Sequence, residues 1–350
     1  MKEICLAFKV ITPMFSAGAN GQRAELRPPS VKGVLRFWWR ATQVGLGLKQ
    51  LQEKEGEIFG SAREKENKKS SFSLAIKTFG LDRFRSFDPL PGHKYPVKNF
   101  PANILEYLAY GTCEWSRQEK RNVFTREYIK PDCTFELVLR IWEEKNRAEI
   151  FKALQAFYLF GGLGSKTRNG FGGLEVISAS AEGEQEVKAL SSLTPDDVFK
   201  GLCSFNGDPS FPAFSKHARL FKTKKQFPTW DACLAELGLA YRNARLSLEK
   251  LHNYSRRRYI GAPIVVNKQQ ESHLDRHAKP YFLRVYKQSN GYTGYILYLP
   301  ADYLPRSYCD RLGIAQGKYK ELNWQQENNN FTSACKDLNG QLAGELKEVK

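Results

Sequence analysis

The sequence lacks an apolar run long enough to cross a membrane, and it lacks the signs of a secreted protein. Nowhere do about 18 apolar residues follow one another, which excludes a spanning helix and leaves at most a peripheral membrane role. The first residues, MKEICLAFKVITP, contain no signal-peptide core and no small-residue cleavage site. The seven cysteines are odd in number, widely spread and free of any C-x-x-C pair, so a reducing cytoplasm fits best.

Groups that carry catalysis or bind metal are also scarce. Five histidines are present, and none is close in sequence to the glycine-rich stretch described below, so no general acid and base for RNA cleavage can be assigned. His273 and His277 would share a helix face as half a metal site, but no cysteine or carboxylate occurs at a matching spacing. We therefore predict no catalytic residue, no cofactor and no metal site.

The composition is that of a globular protein with a strong excess of positive charge. A length of 350 residues is about 2.3 times the ~150 usual for a domain, which predicts two domains. Apolar residues make up 41% and charged residues 26%, which excludes wholesale disorder. With 54 Lys and Arg against 37 Asp and Glu, the formal net charge is +17, which favours a polyanionic partner.

The first half predicts the order β-α-β-β-α-β with one long insertion. Alternating apolar residues predict strands, and apolar residues three and four apart predict helices. The predicted elements are strands at 4–12, 71–79, 134–142 and 174–177, a helix that begins near a Ser30 cap, and a helix at 147–160. The proline-containing stretch 80–128 is interpreted as an insertion and not as a core element. This order is that of a ferredoxin-like domain, which we predict for residues 1–180.

The second half predicts a further α+β domain over residues 195–350, after a linker at 179–194. Apolar residues at helical spacing predict a helix over 230–251. Strands at 281–286 and 292–299 flank Ser289-Asn290-Gly291, a strong hairpin signal. The polar stretch from 316 to the end is expected to be peripheral.

Residues 161–173, GGLGSKTRNGFGG, contain six glycines and carry the strongest functional signal. Glycine lets a backbone approach a ligand closely. Gly164, Lys166, Arg168 and Phe171 would then offer amides, cations and a stacking ring to a phosphodiester chain. A loop that only turns the chain is the alternative.

Two nucleotide-binding motifs do not fit this loop. A P-loop needs glycine where Phe160 and Ser165 stand, and it follows a strand and opens a helix, whereas this loop follows a helix and opens a strand. A dinucleotide fingerprint fails because Thr167 occupies its third glycine position.

Lys32, Arg36 and Arg40 recur every fourth residue along the first predicted helix, opposite an apolar face that includes Trp38. No acidic residue belongs to this stripe. RNA contact and a solvated helix face therefore both remain open.

A second basic cluster consists of Arg256, Arg257 and Arg258, between Tyr254 and Tyr259. Arginine binds phosphates and stacks on base planes, so this cluster favours RNA over a solvated surface.

Six segments together resemble one protein family. They are RPPSVKGVLRFWWRA (27–41), EIFGSA (57–62), YLAYG (107–111), GGLGSKTRNGFGGL (161–174), RRRYIGAPI (256–264) and RHAKPYFLRV (276–285). The set resembles the RAMP proteins of CRISPR systems and, among these, the first RAMP subunits of type III-B Cmr effector complexes. The resemblance covers most of the chain, apart from about 182–228 and the tail after 313.

This resemblance implies the α+β fold class, with two tandem ferredoxin-like (RRM-like) domains carrying insertions. It implies a cytoplasmic, RNA-binding subunit in antiviral defence, which lies near the 3′ end of the CRISPR guide RNA and does not supply the cutting residue. The implied partners are guide RNA, target single-stranded RNA and other RAMP subunits of the Cmr complex, with no membrane. Lys279 would belong to a second-domain RNA site, in which His277 stands where the family resemblance leads us to expect a cation.

Two other functions remain as alternatives. A CRISPR-RNA processing endoribonuclease also uses paired ferredoxin-like domains, but its glycine-rich loop lies near the C-terminus, whereas this one is mid-chain. A free-standing single-strand-binding protein would share the charge but would need no partner surfaces.

Overall fold

A computed structural model describes residues 2–350 apart from 64–65, 98–99, 182–186, 188–189, 251–252, 262–263, 267–268, 271–273, 275 and 305–322. Seven of the sixteen residues of the predicted linker, and also His273, lie outside the described residues. Across the described part, no helix is both long and apolar enough to pass through a bilayer.

Among the described residues, the first half contains four α-helices and twelve strands, most of them short. In chain order these are β1 (Lys2–Val10), α1 (Pro28–Thr42), α2 (Leu48–Phe59), β2 (Ser61–Arg63), β3 (Glu66–Lys68), β4 (Phe72–Thr78), β5 (Arg85–Ser86), β6 (Lys94–Val97), β7 (Phe100–Asn103), α3 (Ile104–Leu108), β8 (Cys113–Ser116), β9 (Arg121–Phe124), β10 (Tyr128–Ile129), β11 (Thr134–Ile141), α4 (Arg147–Phe160) and β12 (Leu174–Ala181).

Four of these strands form an antiparallel sheet in the order β12-β1-β11-β4. Taking the strands in chain order, this is 4-1-3-2, the ferredoxin-like order that was predicted. Ile4, Leu6 and Phe8 alternate along β1 and are wholly buried in the same core as the apolar sides of α1 and α4. Phe8 lies opposite Phe135 of β11, with their ring centroids 5.5 Å apart.

The start of α1 and the presence of α2 differ from the prediction. Helix α1 begins at Pro28, with Arg27 as its N-cap, so Ser30 lies inside the helix and does not cap it. Prolines suit the first helical turn, where their missing N–H would be unpaired anyway. Helix α2 was not predicted, because its acidic, glycine-containing sequence buries only Leu51, Gly56, Ile58 and Phe59.

The second half repeats the same plan. Its elements are α5 (Pro195–Leu202), β13 (Arg219–Lys222), α6 (Trp230–Leu246), β14 (Val265–Val266), β15 (Gln269–Gln270), β16 (Tyr281–Gln288), β17 (Gly291–Tyr298), α7 (Trp324–Glu345) and β18 (Lys347–Glu348). The sheet order is β16-β17-β13-β18 with antiparallel neighbours, which again corresponds to 4-1-3-2. The predicted hairpin is confirmed, with β16 and β17 joined at residues 289–290.

The expectation that the C-terminal stretch is peripheral is wrong. Helix α7 is the second crossover helix of this unit, and it buries Phe331, Ala334, Cys335, Leu338 and Leu342. These positions follow helical spacing, so the apolar signal was present within a polar sequence.

The insertion is part of the core. Helix α3 packs directly on α6, where a Cβ added to Gly238 would lie 2.8 Å from Leu108 and 2.9 Å from Ile104. His93 also bonds Asp231 at 2.6 Å. The insertion of the first half therefore covers a helix of the second half.

The two halves share their apolar cores. Phe282 and Leu297 of the second sheet belong to the core of the first, while Phe15 and Phe171 belong to the core of the second. Helix α5 packs on α4. Division at 1–180 and 195–350 stays a prediction, and the packing predicts that the two units fold cooperatively.

We expect Leu338→Ala to lower the free energy of unfolding by about 2–5 kcal/mol, because it leaves a cavity under α7. Gly340→Ala in the same helix should instead raise it by about 0.5–1 kcal/mol, since an added methyl meets nothing within 4 Å. Chemical denaturation of both variants measures these changes. Equal, negligible effects would mean that α7 does not contribute to the core.

Candidate functional site

The glycine-rich loop between α4 and β12 packs closely against its own chain. Gly164 has a φ of +90°, and a Cβ there would lie 2.5 Å from the carbonyl oxygen of Phe15. The Ser165 amide donates to that carbonyl at 2.8 Å, and the Gly172 amide donates to Pro13 at 2.9 Å. These glycines therefore allow one backbone segment to approach another, whereas the sequence analysis expected them to allow the approach of a ligand.

Phe171 is not an accessible stacking ring, contrary to the prediction. Its side chain is only 1% exposed, and its ring packs edge-on against Phe15 with the centroids 5.2 Å apart. The ring is a core residue because the loop folds back onto the segment that follows β1.

The tip of the loop joins the two halves through Arg168. The Arg168 guanidinium lies 4.4 Å from the ring centroid of Phe282 and 5.6 Å from that of Phe37, and it donates to the carbonyl of Lys279. The Leu283 amide donates to the carbonyl of Arg168 at 3.2 Å. Burial lowers the pKa of Arg168 to about 10, so the group is still charged at neutral pH.

Two adjoining cavities of about 560 and 490 Å³ open beside this tip, and we call them together the basic cavity. Four of its lining residues are cationic: Lys166, Arg168, Arg245 and Lys279. The other described lining residues carry no carboxylate and no imidazole: Tyr107, Leu108, Tyr110, Thr167, Asn169, Tyr241, Ile260, Gly261 and Ile264. The cavity thus offers an anion several positive groups and several hydrogen-bond donors.

The cations of the basic cavity destabilise one another when the cavity is empty. Burial, together with the charges of Arg245 and Arg168, holds the pKa of Lys279 well below its ordinary value. Burial and the charge of Arg126 lower the pKa of Lys166. A bound anion would relieve this repulsion, because it favours the protonated form of each lysine.

Arg245 and Tyr107 are site residues that the sequence prediction did not include. Arg245 lies in the last turn of α6 and donates to the Tyr107 hydroxyl at 3.1 Å, while its buried Nε has no partner in the described residues. The YLAYG segment, which contains Tyr107 and Tyr110, was a signal because it belongs to the family resemblance.

The basic stripe on α1 has an acidic partner, so the premise that it lacks one is wrong. Glu55 of α2 lies 3.3 Å from Arg36 and 3.1 Å from Arg40. Lys32 lies 5.3 Å from the centroid of the Phe72 ring, and burial lowers its pKa. These three side chains contribute to the packing of α1 against α2 and β4, and contact with RNA stays a prediction for them.

Arg256, Arg257 and Arg258 are engaged within the second half. Arg256 bonds Asp337 at 2.6 Å, and Arg257, which is 8% exposed, bonds Glu249 at 3.1 Å. Arg258 donates to the Tyr259 hydroxyl at 3.3 Å. The burial of Arg257 contradicts its predicted exposure to RNA.

His277 contributes to an aromatic cluster. Its ring lies 4.4 Å from that of Tyr303 and 5.7 Å from that of Phe331, and burial lowers its pKa to about 4. Within the described ranges, which exclude His273, no group of histidine, cysteine and carboxylate side chains is placed to hold a metal.

The lowered pKa of Lys279 predicts that the free energy of unfolding depends on pH. Between that pKa and the ordinary lysine value of about 10.4, the unfolded chain binds a proton that the folded chain does not. Wild-type stability relative to Lys279→Met should therefore rise as the pH increases from this lowered pKa to about 10. Denaturant titrations across this range measure the difference, with the exposed Lys216→Met as the control. A difference that stays flat with pH would contradict the assignment.

The RAMP superfamily model matches residues 7–175. CRISPR system Cmr subunit Cmr1-1 of Pyrococcus furiosus is 28% identical over 181 residues, which are 50% of this chain and 48% of that protein, so the match spans about half of the relative.

Two solved structures show the same fold over most of the chain. The crystal structure of apo Cmr1 from Pyrococcus furiosus has a TM-score of 0.51 at 17% identity and covers 85% of this chain and 88% of its own. A chain in the cryo-EM structure of the type III-B Cmr-beta bound to cognate target RNA and AMPPnP, in the presence of ssDNA, has a TM-score of 0.54 at 13% identity, with 96% and 99% covered. The resemblance predicted from six sequence segments is thus confirmed, and the match to the RAMP superfamily extends over residues 7–175, with the glycine-rich loop at their end.

Proposed function

We propose that this chain is an RNA-binding, non-catalytic subunit of a type III-B CRISPR effector complex. In this role it would bind guide or target RNA near the 3′ end of the guide and aid the capture of target RNA in antiviral defence, alongside other RAMP subunits. The observation that carries the proposal is the basic cavity, in which Lys166, Arg168, Arg245 and Lys279 converge without a carboxylate among the described lining residues. The similarity to Cmr1-1 over half of the chain supports the choice of complex.

The chemistry of the cavity supports a sugar-phosphate backbone as the ligand. A protein that leaves sequence reading to base pairing needs cations and donors for phosphates rather than groups that read base edges. Arginine donates in a planar fork that matches phosphate oxygens, and lysine adds a compact charge. The two cavities share five lining residues and have a combined lining with four basic side chains, which suits a strand with several phosphates better than a single phosphate ion.

The described lining favours binding over cleavage. Metal-independent cleavage of RNA needs a base and an acid near the scissile phosphate, and histidine is the usual choice. His277 faces Tyr303 and Phe331, and His93 is bonded to Asp231. If the chain instead cleaves repeat RNA at one discrete phosphate in the presence of EDTA, the non-catalytic part of this proposal is overturned.

Binding of single-stranded RNA should weaken steeply with salt, because cations released from phosphates drive it. About five phosphate contacts give a slope of about −3.5 for log affinity against log salt. Fluorescence anisotropy with a labelled oligonucleotide measures this slope for the purified chain and the reconstituted complex. Absent or salt-insensitive binding in both would contradict the proposal.

The double variant Lys166→Gln with Arg245→Gln should reduce the affinity on the order of tenfold and reduce the slope by about 1.4, since each lost phosphate contact removes about 0.7. Arg168 is kept because its side chain joins the two halves. Arg83→Gln with Lys216→Gln removes the same charge from exposed positions outside the cavity and serves as the control. Equal effects of the two double variants would mean that overall charge, and not the basic cavity, binds RNA.

A further inference from the structure

We propose that the insertion carries a base-stacking surface for unpaired RNA, formed by Tyr107, Tyr110 and Trp115. We call these three rings the aromatic surface. This inference rests on the proposed function, because it assigns the bases of the strand whose phosphates the basic cavity would hold.

The aromatic surface is held in place by contacts to both halves. The Asn169 side chain donates to the Leu108 carbonyl at 2.6 Å, which ties the end of α3 to the glycine-rich loop. On the other side, Gly238 lets α6 approach α3 closely, and Arg245 bonds the hydroxyl of Tyr107. Helix α3, which carries Tyr107 and directly precedes Tyr110, is therefore packed against both halves, and this lowers the entropy lost when a base stacks on these rings.

All three rings are exposed. The exposed fractions are 38% for Tyr107, 80% for Tyr110 and 63% for Trp115, within nine residues of one another. Trp115 is the most exposed tryptophan in the part of the chain that the structure describes. Large rings are normally buried on folding, so such a group beside a charged cavity is typical of a binding surface.

The aromatic surface is continuous with the basic cavity. Tyr107 and Tyr110 line the cavity together with Lys166 and Lys279. A Cβ added to Gly111 would lie 3.6 Å from the amine of Lys166, so the chain passes directly beside this cation on its way to β8.

Trp115 extends this surface along β8. Side chains two residues apart on a strand share a face and lie about 7 Å from one another, so Trp115 follows Cys113 on the same side. Phe124, the partner of Cys113 in β9, is buried against Phe15, which shows that this face turns toward the core at its inner end. Exposed Glu114 lies on the opposite face by the same alternation.

Exposed rings beside a group of cations match the bases and the phosphates of a single nucleic acid strand. Phosphates bind the cations, and bases stack on the rings without regard to sequence, since every base has a π-face. A duplex hides its base faces within the stack, so the aromatic surface selects unpaired nucleotides. Arg245, one of the cations of the basic cavity, donates to the hydroxyl of Tyr107 and so connects the cavity to the aromatic surface.

The test compares two double variants. The alanine variant carries Tyr110→Ala and Trp115→Ala, and the phenylalanine variant carries Tyr110→Phe and Trp115→Phe. A labelled single-stranded oligouridine, an abasic oligomer of equal length and a duplex of equal length are the probes. We expect the alanine variant to lose on the order of tenfold in affinity for the oligouridine and to bind the other two as wild type does. The phenylalanine variant should retain most of the affinity, and Phe79→Ala, which removes a ring that is 56% exposed elsewhere, should retain all of it.

Other outcomes distinguish the two proposals. An equal loss on the abasic oligomer would overturn the aromatic surface, because stacking requires bases. If the alanine variant binds RNA as wild type does but fails to enter the reconstituted complex, the inference is also overturned and the surface is a protein contact. If Lys166→Gln with Arg245→Gln binds RNA as wild type does, the proposed function itself fails. If that variant weakens binding while the alanine variant does not, only the present inference fails.

Discussion

The guanidinium of Arg168, which packs 4.4 Å from the ring centroid of Phe282 and 5.6 Å from that of Phe37, is the contact on which the candidate site depends. Phe37 belongs to α1 of the first unit and Phe282 to β16 of the second, so one side chain links a helix of the first unit to the sheet of the second. A flat, weakly hydrated cation is suited to this position because it stacks on both rings and still donates to the Lys279 carbonyl.

The junction brings like charges together, and this has a cost that an anion can offset. Lys279 lies near Arg168 and Arg245, and its pKa is held well below the ordinary value by burial and by these neighbours. Lys166 has a positive φ of 63° and a lowered pKa in the same place. A protein that had only to fold would gain from a carboxylate here, and elsewhere in this chain Glu55, Glu249 and Asp337 fill that role. The lack of a carboxylate among the described lining residues supports the proposal that the cavity binds an anion.

Much of the fold follows from local patterns. The bounds of α4 agree with the apolar spacing of 147–160, and the hairpin at 289–290 agrees with its turn residues. Helices α2 and α7 were missed because polar and charged residues dominate them, and their few buried side chains become apolar faces only against a partner. The insertion was misjudged for a similar reason, since its short elements gain their stability from packing on α6.

The amino-acid sequence alone determines the order of most strands and helices, the excess of positive charge and the place of the glycine-rich loop. These features depend on composition and on residues that are neighbours along the chain. Which cations remain available is decided by contacts between distant segments. Arg36, Arg40, Arg256 and Arg257 look as basic in the sequence as Lys166 and Lys279, yet Glu55, Asp337 and Glu249 pair with the first four. The last two converge with Arg168 and Arg245 only because the loop of one unit packs on the sheet and helix of the other. Charge pairing depends on distance in space, and separation along the chain does not report it.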